Sequence, residues 1–501
     1  MNRREFLKAL SASGILLGTG LSWTSRSASA ANVTLPAGFP SSIPKILINI
    51  TLDGGPDFRH LLPPQYLADT ATYGYQYWKV RANAHAIAQQ EAAYEARWNN
   101  DFLKPAQKAA PAGNEFGILN SAKWLFDQWE AGNLAVVNNA LGSNSRDHAH
   151  GLLVMEQGDR NAGAHDLDKP GWGGRLAKAM QDKARLVDAN AQVKIVSLTH
   201  EIRRFSYGPH PTDSRKHVND QVISVRNSRN LGLFEPDAAA SITGSQAVMS
   251  RALKAYYAAK RDEMNVTSPY YKFVRHERDM RAFGDAIKAR LIGADEDNPL
   301  MPVPDAIRAL YDVQFAEEKG LFSLNQNDFG LQIRNLYDCL ACQDILNFRI
   351  ASMAYRGWDT HKNQKRYIEQ RFEDLFHEKG AIATLFNQLP DAITDNLIIV
   401  LSGEFGRQLK ANGDNGTDHG RGNSILVIGK GIKGGLYGDM FPAAELERVA
   451  TGRSVDITGK TGIEHVFAAV CEAVEPSTSN AVFPEKANAP LEEGVDGNLF
   501  V

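Results

Sequence analysis

Six short apolar runs constrain the chain most: Ile46 to Leu52, Leu134 to Asn138, Val193 to Leu198, Ile350 to Tyr355, Leu397 to Leu401 and Ile425 to Ile428. Each is rich in β-branched residues, bounded by turn residues and almost free of polar alternation. Such runs form strands buried on both faces, which in a parallel sheet means helices above and below. Helical patterns do lie between them: Ala84 to Arg97, Ser121 to Glu130, Gln370 to Leu389 and Ile463 to Ala473 place apolar residues three and four apart. The expected fold class is α/β, a sandwich built on a parallel sheet. From about 236 to 330 the chain reads as helical, without a strand signal, and is taken as a helical insertion within one domain spanning 31–501.

Composition removes several classes of function. The chain has 501 residues, is 43% hydrophobic and 23% charged, and has a formal net charge of −3. Nucleic-acid binding would call for a basic excess, so no nucleic-acid partner is expected. Three cysteines in this length exclude a disulfide scaffold. Residues 1–30 read as an address: Arg3-Arg4-Glu5-Phe6-Leu7-Lys8, a weakly apolar stretch to Trp23, then Ala28-Ser29-Ala30. This is the pattern of a twin-arginine signal peptide, which implies the Tat translocase as a partner and a periplasmic or secreted location. The apolar stretch is shorter than the roughly 20 residues that span a bilayer, so no stable membrane insertion is expected. Removing Arg3, Arg4, Lys8 and Arg26 against Glu5 takes the net charge from −3 to −6.

In open α/β sheets ligands bind beyond the C-terminal ends of strands. The first run is followed by Asp53-Gly54-Gly55-Pro56-Asp57, two carboxylates around a turn that suit either a hard cation or a simple Asx turn. The second leads to Gly142-Ser143-Asn144-Ser145-Arg146-Asp147-His148-Ala149-His150, where Ser143 or Ser145 is a candidate nucleophile or helix cap. Gly357-Trp358-Asp359-Thr360-His361 puts a carboxylate and an imidazole within reach of one metal, better suited to zinc, manganese or iron than to calcium. Glu404-Phe405-Gly406-Arg407 and Thr417-Asp418-His419-Gly420 supply further acid, Arg and His groups. Five such clusters at successive strand ends point to one shared polar site holding a divalent metal. Cys339 and Cys342 share a C-x-x-C spacing inside an amphipathic pattern, Leu331 to Ile350, and are read as buried free thiols, with a local disulfide as the second reading; Cys471 is read as core.

Together with Gly434-Gly435-Leu436-Tyr437-Gly438 and the N-terminal leader, these motifs resemble the bacterial family called domain of unknown function 1501, DUF1501. Members of that family look like relatives of the alkaline phosphatase and sulfatase superfamily. The resemblance implies an alkaline-phosphatase-like, three-layer α/β/α sandwich and a metal-dependent hydrolase. Asp53 matches the superfamily's first-strand metal ligand, Asp359 and His361 its later Asp/His pair, and His419 its terminal histidine. Glu404-Phe405-Gly406 stands where the superfamily usually has Asp-His-Gly, so Glu404 takes the acidic place and the histidine is missing. Gly142 occupies the aligned place of the nucleophile.

The expected activity is hydrolysis of phosphate or sulfate esters, of a small molecule or a polysaccharide, with zinc, manganese or calcium as cofactor. Asp53, Asp57, Asp359, His361, Glu404, Asp418 and His419 would hold the metal. Ser143 or Ser145 would attack, Arg146 or Arg407 would stabilise the anion, and His148 or His150 would protonate the leaving group. A binding or structural protein on the same fold is the rival expectation.

Overall fold

The computed structural model describes residues 38–106, 114–231 apart from 211, 214–216, 220 and 230, positions 252 and 255–256, 283–451 and 455–501. Residues 1–30, expected to form an address, and residues 236–282 apart from 252, 255 and 256 lie outside the described residues. All six apolar runs are strands of one nine-stranded sheet: β1 (Ile46–Asp53), β2 (Leu134–Leu141), β3 (Lys194–Ser197), β4 (Val222–Ser224), β5 (Phe348–Arg356), β6 (Leu397–Ser402), β7 (Asn423–Ile428), β8 (Gly435–Tyr437) and β9 (Thr461–Gly462). Across the sheet the order is β8-β2-β7-β6-β1-β5-β3-β4, with β9 also paired to β2.

Eight strands run in one direction, and β7 runs against them between β6 and β2. The expectation that Ile425–Ile428 is parallel is corrected here. The β6–β7 connection carries no helix, and two neighbouring strands joined without a crossover must be antiparallel. All six residues of β7 are buried, so hydropathy carries no signal of direction.

Side chains alternate across β1. Ile46, Ile48, Ile50 and Leu52 join one apolar cluster and Leu47 the other. The first cluster is closed by helices α1 (Phe58–Leu61), α2 (Tyr73–Arg81), α3 (Glu91–Asp101) and α4 (Lys123–Glu130), the second by α5 (His148–Gln157) and α6 (Trp172–Arg185). Later in the chain α7 (Asn327–Ala341), α8 (Gln364–Phe376) and α9 (Ala381–Gln388) return to the first face, and α10 (Ile463–Val474) to the second. Helices therefore cover both faces. In the described part of the expected insertion, Ile287, Leu291, Ile307 and Leu310 belong to the first cluster, so this stretch packs onto the sheet.

Several helix limits differ from the periodic patterns. The Ala84–Arg97 pattern is a turn followed by α3, because the chain reverses after α2 with Ala86 at φ 51°. Gln370–Leu389 divides into α8 and α9 at Gly380, whose hydrogen would have to give way to a Cβ 2.8 Å from the Glu373 carbonyl oxygen in any other residue. The Leu331–Ile350 pattern ends in left-handed Asn347, and Ile350 lies in β5.

Cys339, Cys342 and Cys471 are free and buried. Burial raises all three thiol pKa values, that of Cys342 to about 12. Among the described residues no helix is long and apolar enough to cross a membrane. A thiol-specific reagent should leave the native protein unlabelled and titrate three thiols per chain in denaturant; fast labelling of the native chain would refute this burial.

Candidate metal centre

The parallel strand ends are drawn together by one buried cation. The Arg407 side chain is fully buried, and its Nε donates to Gly55 O at 2.8 Å and its Nη1 to Thr417 O at 3.0 Å. Its Nη2 donates to Trp358 O at 3.0 Å, to Asp359 Oδ1 at 2.7 Å and to Gly54 O. Three loops, after β1, after β5 and before β7, thus share one guanidinium. Gly54 makes the closure sterically feasible: its φ is +121°, and a Cβ there would stand 2.3 Å from Asp359 N. The expected role of Arg407 in stabilising a substrate anion is corrected, because its donors are spent on these oxygens.

Asp359 is the meeting point of the site. Its Oδ1 lies 2.9 Å from His419 Nε2 and 3.1 Å from His361 Nε2, and the two Nε2 atoms are 2.9 Å apart. His419 Nδ1 faces the Arg146 carbonyl oxygen at 2.8 Å, which can only accept, so Nδ1 carries the hydrogen. His361 Nδ1 faces Asp418 Oδ1 at 3.1 Å and is fixed in the same tautomer. In their neutral forms both rings therefore aim Nε2 lone pairs at a carboxylate oxygen. This arrangement is repulsive until a proton or a cation enters it. Burial opposes the charge of Asp359, but the Arg407 guanidinium outweighs it and the pKa falls to about 2. Burial also lowers the pKa of His419, which favours its neutral form.

His148, at the N-terminus of α5, stands beside this group, with Nε2 3.5 Å from Asp359 Oδ2 and Nδ1 2.8 Å from Glu404 Oε1. His148, Asp359 and His419 each offer a ligand atom within 4.8 Å of one another. The hydrogen bond to Glu404 raises the pKa of His148. Glu404 is 3% exposed, also accepts from Gly54 N at 2.8 Å, and keeps a buried Oε2 with no partner among the described residues. The Phe405 ring packs 4.4 Å from the His419 ring centre and 5.0 Å from that of His148.

The other expected residues fall elsewhere or into other roles. Asp418 orients His361 and also accepts from Asn412 Nδ2 at 3.0 Å. Both carboxylate oxygens of Asp53 are held by Arg203 at 2.8 Å, so Asp53 is engaged as an ion pair and not as a ligand. Asp57 caps α1 and forms a buried pair with Arg81, which removes it from the metal set. The Arg146 side chain turns to Asp456, and only its carbonyl serves the site. His150 donates from Nε2 to the Ala162 carbonyl, away from His148. Ser143 Oγ accepts from Ser145 N at 2.9 Å and Ser145 Oγ from Asp147 N at 3.0 Å, so both hydroxyls brace the turn before α5.

The sequence reading missed the support beneath the centre. Gln364, fully buried at the start of α8, accepts at Oε1 from Thr417 at 2.6 Å and Thr360 at 3.2 Å. Its Nε2 donates to Asp57 Oδ2 at 2.8 Å and faces His60 Nδ1 at 3.3 Å. One amide thereby ties the loops bearing His361 and His419 to the Asp57–Arg81 pair. A lone glutamine in an amphipathic helix gives no signal of this; only its position three residues after His361 hints at it. His60, His85 and Glu369 also cluster, but the two imidazoles stack at 4.1 Å and 15°, so their in-plane lone pairs cannot meet on one ion, and Arg97 already pairs with Glu369.

Burial alone would raise the pKa of Asp57, yet Arg81 outweighs it and the net shift is downward. The pair therefore stabilises the fold above the ordinary carboxyl pKa of 3.8, and that contribution disappears as pH falls through the lowered value. Asp57→Asn should cost about 3–5 kcal/mol at neutral pH by leaving Arg81 unpaired, with the deficit narrowing in acid. Chemical denaturation at pH 7 and pH 3 measures it, and an unchanged midpoint at pH 7 would exclude this role.

Comparison with curated proteins returned no match. Residues 339–456, which contain Asp359, His361, Glu404, Arg407, Asp418 and His419, match the family described as protein of unknown function (DUF1501), so this part of the chain is similar to that family.

Proposed function

We propose that the protein is an exported, divalent-metal-dependent hydrolase of phosphate or sulfate esters, with an alkaline-phosphatase-like kinship and its centre at Asp359, His361 and His419. The observation that carries the reading is the convergence of two imidazole lone pairs and a carboxylate oxygen within 2.9–3.1 Å, each ring fixed from behind by an acceptor. Histidine rings oriented in this way by carbonyl or carboxylate groups are the usual surroundings of a bound transition metal. Two nitrogens and one oxygen suit zinc, manganese or iron, whereas calcium asks for six to eight oxygens. Three protein ligands leave room for substrate, as catalytic sites require.

When bound, such an ion acidifies a water and offsets charge on the ester oxygens. The residues do the rest. Glu404 holds His148 through Nδ1 and favours its protonated form, so that Nε2 delivers a proton to the leaving oxygen. The side chain of His148 is 45% exposed, which lets a substrate reach it. With Ser143 and Ser145 engaged locally, water is the attacking group this arrangement favours.

Zinc content after dialysis against a weak chelator tests the centre. His361→Ala and His419→Ala should each retain at least about tenfold less zinc than wild type, and Asp418→Ala about 10- to 100-fold less. Ser143→Ala should retain the wild-type amount. Wild-type retention in both histidine variants would eliminate the metal reading, and metal without turnover of p-nitrophenyl phosphate or sulfate would leave a binding protein.

Glu404→Gln removes the charge that raises the pKa of His148. A group that must be protonated loses activity as pH rises through its pKa, so the alkaline limb of the pH–kcat profile should move to lower pH in this variant. An unmoved limb would take the proton donation away from His148.

A further inference from the structure

A cavity of about 590 Å³ lies between the start of α8 and the turn after α2. Its volume is that of a small-molecule site. Asn83, Ala86, Asn363, Tyr367, Gln370 and Asn415 form much of the wall. The charged wall residues are Lys365, Arg366, Glu369 and Glu373, and Glu369 is already engaged by Arg97 and His60. What remains is a set of carboxamides and a phenol. Among the described residues the side chains of Asn363, Asn415 and Gln370 and the Tyr367 hydroxyl make no hydrogen bond to protein, and Tyr367 is 44% exposed with Arg366 5.8 Å from its ring centre.

The backbone of this wall is unusual as well. Of the seven non-glycine residues at positive φ among the described residues, three line the cavity: Ala86 at 51°, Asn363 at 46° and Asn415 at 60°. Left-handed backbone is costly and gathers where a binding surface needs it. Asn363 N donates to Asp414 O at 3.1 Å and Gln364 N to Asn415 O at 3.0 Å, which pairs the two asparagine-bearing segments. Asn363 follows His361 by two residues and Asn415 precedes Asp418 by three, so the same two segments build the metal centre and the cavity.

We propose that this cavity binds a saccharide, the alcohol portion of the ester hydrolysed at the neighbouring centre. Carboxamides both donate and accept, as sugar hydroxyls do, and a half-exposed tyrosine ring offers the flat apolar face against which a sugar ring packs. The assignment to the substrate rests on the hydrolase reading; the binding of sugar does not.

The test is a panel of immobilised oligosaccharides, neutral, phosphorylated and sulfated, probed with the labelled chain and followed by titration of the tightest binder. Tyr367→Ala and Asn415→Gly, a replacement that tolerates positive φ, should each weaken that binding by about tenfold. Turnover of p-nitrophenyl phosphate or sulfate, which carries no sugar, should be unchanged in Tyr367→Ala, whereas kcat/KM for the matching sugar ester should fall about tenfold. Absence of any bound oligosaccharide, or equal binding by both variants, overturns the inference even if simple esters are cleaved. Sugar binding that is lost in the variants without any ester turnover upholds the cavity and removes the hydrolase reading instead.

Discussion

The Arg407 guanidinium is the interaction on which the site's geometry depends. A fully buried cation is expensive unless its hydrogens all find acceptors, and here four carbonyl oxygens and Asp359 surround it. Because these acceptors come from three separate loops, the requirement to satisfy one charge fixes the loops relative to one another. Glycine at position 54 lets the backbone come near enough for this, and Gly406, whose Cβ would lie 1.9 Å from Gly422 O, does the same on the loop that carries Arg407. Asp359 is therefore held in place from behind while its other contacts face the histidines.

Behind the centre, polar groups are arranged to leave no choice of ring orientation. The Arg146 carbonyl and the Asp418 carboxylate each take one histidine hydrogen, and Gln364 spaces the two loops through its four contacts. The electrostatic result is an unfavourable meeting of lone pairs, stable only because the surrounding fold supports it. A cation or a shared proton at that meeting point would relieve it. His148 differs from the pair because Glu404 binds its inner nitrogen and favours its charged form.

Much of the fold was legible because a buried strand leaves a run of apolar residues that no other short element requires. All six runs are strands, and the acid and histidine clusters do stand at their ends. Direction was not legible for β7, since a strand buried on both faces looks alike either way, and the missing crossover is visible only as the lack of a helix between Ser402 and Asn423. Short strands such as β8 and β9 pair only through β2 and carry too few residues for a pattern.

Within the site, residue type and local spacing determined that Asp359, His361, Glu404 and His419 gather at one sheet edge beside His148. Tertiary structure alone decided what each one does. Asp53 and Asp57 look as suitable as Asp359 in sequence, yet Arg203 and Arg81 occupy them, and those arginines lie 150 and 24 residues away. Arg407 looks like an anion binder and is consumed by carbonyls; His150 looks like a twin of His148 and turns to Ala162. The reason is physical. A polar side chain's role is set by which partner satisfies its hydrogen bonds, and those partners are neighbours in space and seldom in sequence.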